Sequence, residues 1–219
     1  MPSRSLSDAP PRLTGFRIAV AVIGVLGIAA SGWVLRLPVT DPRFFPATAV
    51  LGLIWLGGAL LAVRVGGQRI PLGGRDARAL GLGIGAGLAL LTLFVLGALI
   101  VSRLPLLRDP VLALIGHAGQ GALPVAILAT AVNGIAEECY FRGALYQALP
   151  ARIAIIGSTA VYALGAAASG IVLLVLAALL LGVLTALLRH RTGGIAAPVL
   201  AHVIWSLGML LLLPMLLTN

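Results

Sequence analysis

The chain has 219 residues, of which 60% are hydrophobic and only 10% charged, with a mean hydropathy of +1.13. A soluble domain is about half apolar and about a quarter charged, so this composition excludes a water-facing exterior and points to membrane spans joined by short loops. The net charge of +9 comes from 15 arginines and no lysine; they stand between apolar runs rather than along an amphipathic face, so they mark topology, and nucleic acid is not expected as a partner.

A span needs about 20 mostly apolar residues. That rule predicts spans near 16–35, 44–65, 79–101, 121–141, 152–169, 171–188 and 194–217, an all-α polytopic membrane bundle of about seven helices. Residues 1–14 are polar and Pro-rich and read as a disordered cytoplasmic tail, with 15–219 as a single transmembrane domain. Arg12 and Arg17 could flank a signal peptide, but the apolar run that follows is long and ends in Trp33 and Arg36, which suits an uncleaved first span. In the third span Gly81, Gly83, Gly85 and Gly87 form two overlapping G-x-x-x-G registers, which predict close packing inside the bundle, with dimerisation the lesser reading. Segment 104–120, with Pro105, Pro110 and His117, is expected to rest at the outer interface. The single Cys139 gives neither an intrachain disulfide nor a metal-thiolate spacing.

Arginine placement sets the orientation. With the N-terminus in the cytoplasm, eleven arginines fall inside and only Arg36, Arg43, Arg103 and Arg108 fall outside, which makes this a multi-pass cell-membrane protein with an external C-terminus.

The four aspartates fall in tails or loops, whereas the only two glutamates, Glu137 and Glu138, are adjacent near the end of an apolar helix. A charge at mid-membrane costs roughly 2.5–3.5 kcal/mol on insertion scales, so such groups have partners or a task. Glu138 and Arg142 stand four apart on one helical face and can pair. Glu137 points elsewhere, and a carboxylate left unpaired is what a general base requires; the competing reading is a helix end with solvated acids. His117 and His190 read as solvated, while His202 lies inside the last span with Ser206 one turn on. Counting about 1.5 Å per residue, His202 lies roughly 12 Å into its helix and Glu137 about 7–8 Å before Arg142, so the two reach comparable depths.

The run E-E-C-Y-F-R-G-A-L-Y, Glu137 to Tyr146, resembles the E-E-x-x-x-R motif of the CPBP (Abi) family of intramembrane proteases, which includes the CAAX prenyl endopeptidases of the Ras-converting type. Arg191 to Ser206 resembles that family's last motif, H-x-x-x-N or H-x-x-x-D, and the likeness covers about 121–210. It implies a glutamic-type endopeptidase that hydrolyses a peptide bond near the cytoplasmic leaflet of a membrane-associated peptide or protein. Carried over by residue, Glu137 becomes the base, Glu138 and Arg142 its supports, His202 an oxyanion donor and Ser206 a replacement for the family's Asn. The middle motif, F-x-x-x-H, is best matched by Tyr162 to Ala166, so Ala stands where the family has His, and the Tyr162 hydroxyl is the one candidate auxiliary group. That loss opens a second reading, an inactive relative that scaffolds a membrane partner. It also leaves Glu137, Glu138 and His202 as the only ligand types, and adjacent glutamates diverge on a helix. A catalytic zinc wants three protein ligands and a water, so no cofactor is expected and zinc is the lesser alternative.

Overall fold

The computed structural model describes residues 11–73, 76–119 and 123–217, and among these the fold is helical without strands. In chain order the elements are α1 (Pro11–Val34), α2 (Phe44–Gly66), α3 (Ala77–Val101), α4 (Pro105–Gly119), α5 (Leu123–Glu138), a π-helical segment (Cys139–Leu145), α6 (Tyr146–Ala148), α7 (Ala154–Ala167), α8 (Val172–Thr192) and α9 (Ala196–Leu217). Helices α1, α2, α3, α8 and α9 are each long and apolar enough to cross a membrane. The two other expected spans correspond to α5, which the π-helical segment prolongs, and to α7, whose 14 residues reach only about 21 Å. Among the described residues, five helices meet the length and composition of a membrane span. Helix α1 begins at Pro11, inside the stretch expected to be a tail; residues 1–10 of that tail, and Arg75, lie outside the described residues.

Hairpins set the directions. Gly66 meets Phe16, Gly58 meets Ile23 and Gly27 meets Trp55, so α1 and α2 run antiparallel. One end of the bundle consequently gathers Arg12, Arg64, Arg69, Arg78, Arg189 and Arg191, and the opposite end holds Arg36, Arg43, Arg103 and Arg108. At the opposite end Arg43 pairs with Asp41 at 2.7 Å, and this hydrogen-bonded guanidinium holds the Asp41 carboxyl down at about 2. Helix α4 lies across the same end, packing Val111 and Ile115 near Ala98 of α3 and Leu217 of α9.

Of the two glycine registers, one is used inside. A Cβ on Gly83 would lie 2.7 Å from the Ala197 carbonyl oxygen and one on Gly87 2.8 Å from that of Ala201, so only glycine admits α9 there. Both contact numbers rise together, and α3 and α9 run parallel. Gly81 and Gly85 have open space beyond them.

The half of the bundle near the arginine-rich end is filled. Phe16 and Val20 of α1, Trp55, Ala59 and Ala62 of α2, and Tyr140, Phe141 and Leu145 of the π-helical segment form one buried cluster with Ile195. Trp55 stacks within 4.7 Å of Tyr140 and 4.9 Å of Phe141. This aromatic plug is the floor on which the candidate site rests.

Candidate active site

Helix α5 carries Glu137 and Glu138 in its last turn, and the wider π-helical turn that follows buries all seven of its residues, including Arg142. Such turns cluster at functional sites because the altered ladder re-aims side chains. The carbonyl of Arg142 accepts a bond from Arg189 Nε of α8 at 3.1 Å. The Arg142 guanidinium lies 3.3 Å from Glu138 Oε1, both side chains being fully buried. It also donates to the Gly182 carbonyl at 3.0 Å and covers the Tyr162 ring at 5.0 Å. The pair anticipated from the four-residue spacing is thus formed.

His202 joins the two glutamates. Its Nδ1 is 2.8 Å from Glu138 Oε1, and its Nε2 is 3.9 Å from Glu137 Oε2. Gly134 of α5 faces the ring of His202 on α9; a Cβ there would lie 3.5 Å from the imidazole, in ordinary van der Waals contact. Tyr162, reaching in from α7, interacts with Glu137 through its hydroxyl and stands edge-on to His202 at 6.2 Å. Four elements therefore converge on one point: α5, the π-helical segment, α7 and α9.

Glu137, Tyr162, His202 and Ser206 all line a cavity of about 590 Å³, whose remaining walls are mainly apolar. Arg142 and Glu138 are not among its lining residues; they sit behind it. The cavity continues along Phe44 and Phe45 of α2, Val101 of α3, Leu174 of α8 and Leu213 of α9 to the underside of α4. These residues belong to the end opposite the arginine-rich one. The matched depths of Glu137 and His202 thus bring both to one cavity, but Arg142 does not line it and it runs away from the arginine-rich end. Arg142 lies beneath the space, and the aromatic plug blocks that end.

Residues 119–208 match the family model described as Rce1-like, type II CAAX prenyl endopeptidase Rce1-like. That stretch of the chain is similar to the Rce1-like family. No curated protein and no solved structure matches the chain. The matched stretch covers α5 through most of α9 and so includes Glu137, Glu138, Arg142, Tyr162, His202 and Ser206. This match and the long apolar helices support a multi-pass membrane protein.

Within the matched stretch, two sequence-derived candidates keep their places with altered partners. Ser206 lines the cavity, but its hydroxyl donates to the His202 carbonyl at 2.8 Å, a bond within its own helix. His202 is held by Glu138 through Nδ1, a contact that the spacing of residues 64 apart does not announce. Asn133, one turn before Glu137, also lines the cavity and donates to the Ala129 carbonyl at 2.9 Å. Away from the site, the exposed His190 meets the Tyr146 hydroxyl at 3.4 Å, and the side chain of His117 lies outside the described residues.

As a metal centre the donor set is incomplete. Glu138 Oε1 is already shared by Arg142 and His202, leaving Glu137 and His202 Nε2 to face the cavity. Among the described residues no group of three or more His, Cys, Asp or Glu side chains could hold an ion, and a catalytic zinc needs three protein ligands.

Proposed function

We propose that the chain is an intramembrane endopeptidase in which Glu137 activates water for attack on a peptide bond of a membrane-associated substrate. The observation that carries this reading is the pairing of a cavity-facing carboxylate, Glu137, with an imidazole nitrogen 3.9 Å away, backed by a second glutamate already neutralised by Arg142. A general base must reach the proton it removes directly or through one water, and this spacing suits a shared water. The apolar cavity beside it suits the lipophilic part of a membrane-anchored substrate. The test is reconstitution of the full chain in lipid vesicles with a library of membrane-anchored peptides, prenylated and unprenylated. Wild type cleaves and Glu137→Ala does not; a wild type inert toward the whole library overturns the reading. Ala166, standing where the family motif has His, favours the second reading in that event: a family relative that scaffolds a membrane partner.

The mechanism proposed is free of metal, because among the described residues only two carboxylate or imidazole side chains, Glu137 and His202, face the cavity. Cleavage by the reconstituted protein should persist after prolonged chelation. Loss of cleavage on chelation, restored by zinc, would reassign Glu137 from base to ligand.

The proposed orientation has the arginine-rich end in the cytoplasm, seven crossings and an external C-terminus in the cell membrane. It rests on the eleven-to-four division of arginines. A reporter fused after Asn219 should respond as external. A cytoplasmic response would place one of the short helices, α4, α5 or α7, differently with respect to the bilayer.

A further inference from the structure

We infer that His202 is a second base acting on the same water as Glu137, and not the oxyanion donor its place in the last motif implies. This rests on the endopeptidase reading and assigns a catalytic role within it.

The argument begins with Glu138. Its side chain is fully buried, and its Oε1 contacts both Arg142 Nη1 at 3.3 Å and His202 Nδ1 at 2.8 Å. The guanidinium stays protonated in proteins, and a carboxylate paired with it is an acceptor only. Nδ1 must therefore carry the proton in that contact. In a neutral imidazole one nitrogen donates and the other accepts, and the hydrogen bond made by one nitrogen decides which. With Nδ1 donating, the neutral ring carries its lone pair on Nε2, the nitrogen that faces Glu137. An oxyanion donor at Nε2 would require an imidazolium.

The 3.9 Å between Nε2 and Glu137 Oε2 exceeds a direct hydrogen bond but fits one shared water. An oxygen about 2.8 Å from each atom would subtend about 90°, near the angle between the two O–H bonds of water. Both of its protons then point at acceptors and its lone pairs at the cavity. Glu137 removes one proton as the water oxygen bonds to the peptide carbonyl carbon, and the C=O π pair moves onto the carbonyl oxygen. Protonated Glu137 returns that proton to the amide nitrogen as the C–N bond breaks. Nε2 takes the second proton, from the hydroxyl of the tetrahedral intermediate, so a carboxylate and a neutral amine leave. The imidazolium then loses its proton to water. Tyr162 and Ala166 occupy the middle motif, where no imidazole is available for this step.

Among the described residues, the charged and titratable groups in contact with His202 are Glu137 and Glu138 of α5 and Tyr162 of α7, with Arg142 of the π-helical segment paired to Glu138 behind them. The chain has only three histidines, so the assignment can be read without activity. Full-length protein carrying His117→Gln and His190→Gln, labelled with ¹⁵N-histidine in lipid nanodiscs, should show one ring at neutral pH with Nδ1 protonated and Nε2 bare. Glu138→Gln should release that tautomer. In parallel, His202→Gln keeps an N–H donor but no base, and should lower kcat by about 10²–10⁴-fold with little change in KM. A proton on Nε2 at neutral pH, as the other tautomer or as an imidazolium, overturns the inference. So does near-wild-type turnover of His202→Gln. Either result leaves the endopeptidase reading standing, with His202 as the donor. A wild type that cleaves nothing while showing the Nδ1–H ring overturns the endopeptidase reading and the proton step with it.

Discussion

Glu137→Gln should fold as wild type does and lower peptide cleavage by about 10²–10⁴-fold, the usual contribution of a positioned general base. The substitution keeps the size of the side chain and its hydrogen-bonding reach toward Tyr162, and removes only the capacity to take a proton. It does not touch the Glu138–Arg142 pair, which is what holds α5 to α8 through the Gly182 carbonyl. The loss should therefore appear in kcat with the melting temperature in lipid nanodiscs unchanged. Retained cleavage would remove Glu137 from the base role. Lost cleavage with a large fall in melting temperature would show that Glu137 supports the fold instead. The companion variant Glu138→Gln separates the two glutamates, because it weakens both the ion pair and the anchor of His202 and should lower stability and turnover together.

Much of this arrangement is legible in the sequence because the membrane restricts what an apolar run can do. Backbone polar groups in lipid must be satisfied within the segment, so long apolar runs become helices. Periodicity then places Glu138 and Arg142 on one face, and counting rise per residue brings Glu137 and His202 to matching depth. The Gly83/Gly87 register is likewise settled by a close approach that only a missing Cβ permits. What the sequence withholds has physical reasons too. The π-helical segment at Cys139–Leu145 changes the ladder without any composition signal, and it is what buries Tyr140, Phe141 and Arg142 together. The bond between Glu138 and His202 depends on how far two helices are rotated, which residue spacing along either helix does not specify. The direction of the cavity depends on where bulky side chains of α1, α2 and the π-helical segment accumulate. Trp55, Tyr140 and Phe141 read as ordinary span residues until α2 and the π-helical segment are seen to stack them. The hydroxyl of Ser206 could equally have faced the cavity; its own helix offers the His202 carbonyl at 2.8 Å, and that local acceptor takes it.

The largest loss of stability should come from Arg142→Leu. Removing the guanidinium leaves the Glu138 carboxylate buried with only His202 for company, and breaking one side of a buried ion pair costs about 3–5 kcal/mol. Three further contacts go with it: the bond to the Gly182 carbonyl, and the packing over Tyr162 at 5.0 Å and Phe141 at 5.7 Å. Arg142→Leu should thus unfold in detergent at a much lower temperature than wild type, or fail to accumulate. The double variant Glu138→Leu with Arg142→Leu should recover most of that loss, because replacing a whole buried pair by apolar groups of similar volume is often neutral or stabilising. Recovery of the fold should not recover cleavage. Without Glu138 the Nδ1 of His202 loses its acceptor, and without Arg142 the Tyr162 ring loses the guanidinium that covers it. Melting curves and turnover measured on the same double variant check both halves. A double variant that cleaves at the wild-type rate would show that the Glu138–Arg142 pair serves the fold alone. One as unstable as Arg142→Leu would place the stabilisation in the Gly182 and aromatic contacts instead of the ion pair.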